Sequence, residues 1–346
     1  MDKDKMRAAI LKDVNEFEMI ETDKPKITQP DEIIVKVLVC SICGTDKGFA
    51  ANPDSKGYGD MRGRILGHEI VGEVVDIGPG VKNFKIGERI VVNPNSYCNV
   101  CPACRAGHPN HCQNMELMGI TVPGGFAEYV KTYERLAFPI SKDVPLRHAA
   151  FAEPLSCAMN GFSRLDITPG DTCVVFGCGP IGLLFAQLAR RNGARVVCIE
   201  PMPKRLQIAQ KLGFDVFTPD TPDIKGKLIA KWGRRANYCI DAAGGQLPVA
   251  VDLAEFCGKI LCFASPRQVK DANLGPIQNK ELTIMGSFVI HDSMPRAITV
   301  LENNYLDLDP IITHYLPLEE VGKGVEYMRT GEGMEIILNI GANGQE

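Results

Sequence analysis

The middle of the chain alternates short apolar runs with stretches of helical period, and this alternation dictates an α/β architecture. An apolar strand at 173–176 runs through a glycine turn into a helix-like segment at 183–191, and a second apolar strand follows at Arg195–Ile199. Pro203 suits the first turn of a helix carrying Leu206, Ile208, Ala209 and Leu212, and Gly213 suits its end. Further strands are expected at 238–242, 260–264 and 282–288, with a helix at 247–256 between the first two. Elements in that order build a doubly wound parallel sheet over 158–291. Residues 1–157 read differently. Short β-branched runs at 33–39, 70–75 and Arg89–Val92, set among glycine and proline, predict a compact, mainly antiparallel β domain. The last stretch holds a helical pattern near Met294–Glu302, a strand at Glu335–Asn339 and a tail at 341–346 that is expected to fray.

Composition narrows the partners. With 346 residues the chain is expected to form two domains with ample core. A formal charge of −4 and a pI near 5.9 argue against nucleic acid or an anionic membrane. No uninterrupted apolar run approaches the roughly 20 residues of a membrane span. Residues 1–7 are charged rather than apolar, so no secretory signal is expected and the cytoplasm is the expected location. Thirteen cysteines is an odd number, and Cys173, Cys198, Cys239 and Cys262 fall in apolar strands, as small buried hydrophobes rather than a disulfide framework.

Four other cysteines carry chemistry. Cys98, Cys101, Cys104 and Cys112 follow the spacing C-x2-C-x2-C-x7-C, which lets four thiolates close a tetrahedron around one zinc at about 2.3 Å per bond. The residues between them have loop character and cannot form a core, so the metal would supply the folding energy of a closed, structural site.

The strand at 173–176 leads into Gly177-Cys178-Gly179-Pro180-Ile181-Gly182, a G-x-G-x-x-G turn with a strand before it, a helix after it, and Glu200 at the end of the next strand. Gly177 makes the tight turn, Gly179 lets a pyrophosphate approach the backbone, and Gly182 packs the helix, whose N-terminus with Pro180 and Ile181 receives the phosphate. Glu200 would accept hydrogen bonds from the adenosine ribose and repel the extra phosphate of NADP. NAD is therefore the expected cofactor, while Lys204 and Arg205 just downstream keep NADP in view.

A third constellation lies in the β-rich part: Cys43-Gly44-Thr45-Asp46, Gly67-His68-Glu69 and Glu153-Pro154. Each alone is ambiguous. Together they offer the Cys, His and Glu ligands of an open, catalytic zinc, a Lewis acid that eases loss of an alcohol proton and so complements a hydride acceptor.

These motifs, with Gly124-Gly125-Phe126-Ala127-Glu128-Tyr129 and Thr313-His314 before Pro317-Leu318-Glu319-Glu320, resemble the zinc-dependent medium-chain dehydrogenases, in the branch of sorbitol, polyol and threonine dehydrogenases. The resemblance implies a Rossmann nucleotide domain at 158–291 and a split, GroES-like catalytic domain at 1–157 and 292–346, with the catalytic cleft between them. It implies Cys43, His68 and Glu153 as direct zinc ligands and Glu69 as an alternate or nearby one. Thr45 would take the substrate's hydroxyl proton, and Asp46 would orient His68. It further implies one catalytic and one structural zinc per chain and a homodimer or homotetramer.

Two positions depart from the pattern. A histidine often stands five residues after the first ligand cysteine and passes the proton to solvent; here Gly48 follows Lys47. Sorbitol dehydrogenases carry an Arg-Tyr pair after a phenylalanine, where this chain reads Phe288-Val289-Ile290-His291, so sorbitol itself is not the expected substrate and His291 serves another substrate or a loop. The expected activity is NAD-dependent interconversion of a secondary alcohol of a polyol, sugar derivative or related small hydroxy compound with its ketone. The alternatives are an L-threonine 3-dehydrogenase-like amino alcohol dehydrogenase and a non-catalytic nucleotide-sensing or structural protein of the same fold.

Overall fold

Glu32–Ser41 is apolar at nearly every position, and a strand of that pattern has to be covered on both faces. In the computed structural model, which describes residues 4–55, 57–264, 273 and 275–342, it is the centre of a seven-stranded sheet. One edge pairs antiparallel with Glu69–Ile77, which continues to Arg89–Val92 and Ala137–Pro139. The other edge is shared, Tyr129–Tyr133 pairing with residues 32–36 and Glu335–Asn339 with residues 39–41. Ile312–Pro317 adds to Glu335–Asn339 in parallel. Ser41 thus sits opposite both Glu69 and Ile337, which brings the starts of two strands to the end of the central one. Beneath the sheet, Ile33, Val35, Val37, Met61, Leu66 and Phe126 are fully buried in one cluster.

The chain divides into two compact units: Met1–Ser156, Ile290–Asn303 and Ile312–Glu346 form the first, and Cys157–Val289 and Asn304–Ile311 the second. The segment Asn304–Ile311 joins the second because Gln187 bonds both ways with the Asp307 backbone and Arg191 donates to Tyr305 O at 2.6 Å.

The second unit is a six-stranded parallel sheet in the order Asp215–Phe217, Arg195–Ile199, Thr172–Phe176, Ala236–Asp241, Ala254–Cys262, Thr283–Gly286. Helices Pro180–Arg191, Pro203–Lys211, Ile224–Trp232 and Leu247–Leu253 connect the strands. The order runs outward from Thr172–Phe176 in both directions, which makes the sheet doubly wound and leaves the carboxyl end of that strand as the natural ligand crevice.

Two expectations are corrected, and three helices add to those expected. The helix expected at 247–256 stops at Leu253, because Lys280 Nζ takes up the carbonyls of Val251, Asp252 and Ala254 at 2.8–3.0 Å and Ala254 begins a strand opposite Ala236. Helices Gly44–Ala51, Ala152–Phe162 and Val321–Thr330 were not evident from the pattern. Of the tail expected to fray, Gly341 donates to Leu38 O at 3.1 Å and Ala342 is buried, while residues 343–346 lie outside those described. Among the described residues, no helix is long and apolar enough to cross a membrane.

Candidate active site

Cys43 follows the central strand and caps the helix Gly44–Ala51, while His68 and Glu69 open the neighbouring strand, so the register at Ser41 carries these side chains to one place. Ligand atoms of Cys43, His68 and Glu69 lie within 4.8 Å of one another. Gly67, at φ +89°, makes the turn into His68, and a side chain there would meet the Phe126 ring at 2.4 Å. Asp46, fully buried, ties the two segments together: Cys43 N donates to its Oδ2 at 2.9 Å, and Gly67 N to its Oδ1 at 3.2 Å. Its Oδ1 stands 3.7 Å from His68 Nδ1. Glu153, buried in the first turn of Ala152–Phe162, lies outside the trio within 4.8 Å, but its charge acts on Cys43, His68 and Glu69.

The electrostatics of this cluster call for a cation. Burial, then the charges of Asp46 and Glu153, push the Cys43 thiol up to about 12, against hydrogen bonds from the Thr45 amide and hydroxyl. Burial alone would lower His68, yet Asp46, Glu153 and Glu69 raise it. Burial and then Cys43, Glu335 and Glu153 hold Glu69 well above the carboxylate range. Glu335, which in the sequence is only the start of a strand, is buried beside Ser41 and is pushed up to about 8 by that burial. His68 Nδ1, Glu69 Oε2 and Glu335 Oε1 are buried without a hydrogen-bond partner. Buried polar atoms are nearly always paired, and a soft thiol, an imidazole and carboxylates form a donor set that suits zinc. Thr45 is exposed, Lys47 half-buried, and a side chain at Gly48 would meet nothing within 4 Å.

The four-cysteine lobe fits zinc more directly. Its short helix Pro102–Arg105 and the turn Pro109–His111 bring Sγ of Cys101 to 3.5 Å from Cys104 and 3.9 Å from Cys112, with Cys112 to Cys98 at 3.5 Å. A tetrahedron with arms of about 2.3 Å has edges of about 3.8 Å, which is this spacing. Backbone amides already serve the sulfurs: Cys101 N reaches Cys98 Sγ at 3.4 Å, and Asn114 N reaches Cys112 Sγ at 3.3 Å. Amides of Val100 and Cys101 lower Cys98 to about 6, whereas burial and shared protons raise Cys104 to about 12. His291 belongs to this lobe: its Nε2 lies 2.9 Å from Gly107 O.

In the second unit, Gly177 has φ +92°, and a Cβ on Gly182 would fall 1.9 Å from Gly177 O, so both positions demand glycine. Gly179 differs. A Cβ there would meet only Arg205 Nη1, at 3.7 Å, leaving a cradle that a side chain would fill and a ligand can enter. Pro180 and Ile181 form the first, half-buried turn of the helix behind it. Glu200 is buried and accepts from Cys178 N at 2.7 Å and Met202 N at 2.8 Å, so it braces the glycine turn. Arg205 Nε is buried without a hydrogen-bond partner. A dinucleotide fits this cradle on its backbone and charge alone.

Residues 29–142 match the family described as alcohol dehydrogenase GroES-like domain, and residues 180–303 match the zinc-binding dehydrogenase family. The chain is 30% identical to D-arabinitol dehydrogenase 1 of Uromyces fabae over 96% of its length and 97% of the relative's. It is 32% identical to an L-threonine 3-dehydrogenase of Caldanaerobacter subterraneus, covering 93% and 94%. Among solved structures, an alcohol dehydrogenase from E. coli complexed with NADH matches with a TM-score of 0.88 and 27% identity, covering 97% and 99% of the chains. A zinc-binding dehydrogenase from Sinorhizobium meliloti bound to NADP matches with a TM-score of 0.88 and 29% identity over the same shares, 97% and 99%.

Proposed function

The chain belongs to the zinc-dependent medium-chain dehydrogenase family, and from that premise we propose that it interconverts a secondary alcohol of a polyol, sugar derivative or related small hydroxy compound with its ketone, using NAD. The observation that carries the reading is the buried cluster of Cys43, His68 and Glu69, whose His68 Nδ1 and Glu69 Oε2 lack partners among surrounding carboxylates. We assign the direct ligands as Cys43, His68 and Glu153, with Glu69 close enough to exchange for Glu153, and Cys98, Cys101, Cys104 and Cys112 to a second, structural ion. Zinc in the first site would supply a Lewis acid for the alcohol oxygen. The residues do the rest. Thr45, exposed beside Cys43, takes the hydroxyl proton, and with Gly48 in place of a histidine the proton leaves to water. Asp46 holds the Cys43 and His68 segments in register.

Residues 1–157 and 292–346 would form the zinc-binding part and 158–291 the dinucleotide-binding part. Glu200, a buried carboxylate, would accept from the adenosine ribose and repel the extra phosphate of NADP, and Arg205 at the glycine turn is the countervailing charge. The 32% identity to an L-threonine 3-dehydrogenase supports an amino alcohol substrate as the second reading. The deciding experiment measures oxidation of alditols, sugar acids, vicinal diols and L-threonine with NAD and with NADP, alongside zinc content per chain. Activity on an alditol or vicinal diol with NAD and two zinc ions is expected. Activity confined to L-threonine would replace the first reading by the second, and a zinc-loaded protein inert on the whole panel would overturn both.

A further inference from the structure

At the opposite end of the parallel strands from the glycine turn, Arg190, Arg195, Lys231, Asp215, Phe214 and Trp232 line a cleft of about 360 Å³, a volume within the range of small-molecule sites. We propose that this cleft binds a phosphate-bearing anion, separately from the dinucleotide. It lies where Arg195–Ile199 and Asp215–Phe217 begin, whereas Glu200 follows the far end of the first strand, about 16 Å away at the usual rise per residue.

Charge selects the ligand class. Three cations face one carboxylate, which leaves two positive charges uncompensated, the charge of a phosphate monoester dianion. Arg190 and Lys231 have a structural reason to be there. Each sits in the last turn of a helix, Pro180–Arg191 or Ile224–Trp232, where a cation offsets the carbonyl end. Arg190 also donates to Leu212 O at 2.6 Å and lies over the Phe214 ring at 4.2 Å, and Lys231 pairs with Asp215 at 2.8 Å. Arg195 has none of these reasons. It opens a strand, is exposed, and makes no side-chain hydrogen bond or ion pair among the described residues. Its planar fork matches phosphate oxygens two at a time, with Arg190 beside it and Lys231 as a point charge. Trp232 and Phe214 give the walls an apolar part for whatever the phosphate is attached to.

Trp232 is the only tryptophan in the chain, so its fluorescence reports on this cleft. The test titrates the full-length protein with inorganic phosphate and with AMP at constant ionic strength set by chloride, following fluorescence and heat. Saturable binding is expected, weakened at least tenfold in Arg195→Glu, whose melting temperature and dehydrogenase activity should match wild type. Asp215→Asn, which removes the cleft's one negative charge, should bind phosphate severalfold tighter. AMP saturating below phosphate, with both weakened by Arg195→Glu, would identify a nucleotide phosphate; equal affinities would identify the phosphate group alone. The proposal fails if neither anion saturates, if Arg195→Glu binds like wild type, or if Asp215→Asn binds no tighter.

Discussion

Thr45 and Lys47 stand two residues apart beside Cys43, and their chemistry separates them. The Thr45 hydroxyl works with its amide to lower the Cys43 thiol against burial, and in the proposed reaction it takes the alcohol's proton. A general base in position is worth about 100- to 10,000-fold in rate. Thr45→Val should therefore lower alcohol oxidation by that order, and Lys47→Ala by far less; a shifted basic limb and an equal loss in Lys47→Ala would make lysine the relay. Glu200 is the second test at this scale. Its two oxygens accept from the Cys178 and Met202 amides, so Glu200→Gln, which keeps one acceptor and removes the charge, is the informative change. It should narrow the preference for NAD over NADP by about tenfold, since a like-charge clash is removed. Steady-state kinetics with both cofactors decide this, and a wild-type preference for NADP would show Arg205 to outweigh Glu200. At this scale the sequence offered Cys43, His68, Glu69 and Glu200 as candidates through their separate motifs. It was silent on Glu335, because an isolated acid at a strand start carries no local signal.

Among the elements, Glu32–Ser41 depends on a carboxylate at its buried end. Burial pushes Glu32 up, but Lys131 at 2.7 Å and the amides of Thr28 and Gln29 outweigh it and bring the group down to about 2, from an ordinary value near 4.5. A depressed carboxylate stabilises the fold above its unfolded value, and that stability is lost as pH falls through the folded one. The first unit should therefore lose on the order of 2–3 kcal/mol between about pH 4.5 and 2 from this group. Glu32→Gln should flatten that part of the acid-unfolding curve, and an unchanged slope would exclude Glu32 as its source. Lys280 does comparable work in the second unit by capping the carbonyls of Val251, Asp252 and Ala254. Lys280→Met should cost about 2–3 kcal/mol in denaturant unfolding, as loss of charge-assisted hydrogen bonds to buried acceptors does; a change under about 0.5 kcal/mol would mean water replaces the cap. Neither bond could be read from the chain. Lys131 and Glu32 are brought together by strand pairing, and the helix expected at 247–256 ends early for the sake of a lysine far along the sequence.

For the molecule as a whole, the two proposed zinc sites make opposite demands. The cysteine lobe has no core of its own, so Cys101→Ser should lower the melting temperature and one equivalent of zinc, whereas Cys43→Ser should leave a folded protein with little turnover. Metal analysis and melting curves of both variants test this, and an unchanged melting temperature in Cys101→Ser would remove the structural assignment. The sequence by itself determined what depends on short spacing and period: the clustering of the four cysteines, the glycine turn with its strand and helix, and the doubly wound sheet. Tertiary structure alone decided what depends on register. Cys43 meets His68 and Glu69 because Ser41 pairs with Glu69, and Glu335 joins them because its strand shares the other edge of the same central one. His291, open between substrate and loop in the sequence, is placed on Gly107 of the cysteine lobe. Local pattern reaches only as far as a turn or a strand, whereas the buried charge that calls for a cation comes from separate segments: only the folded chain brings Cys43, His68 and Glu69 within 4.8 Å and adds the charges of Glu153 and Glu335 to them.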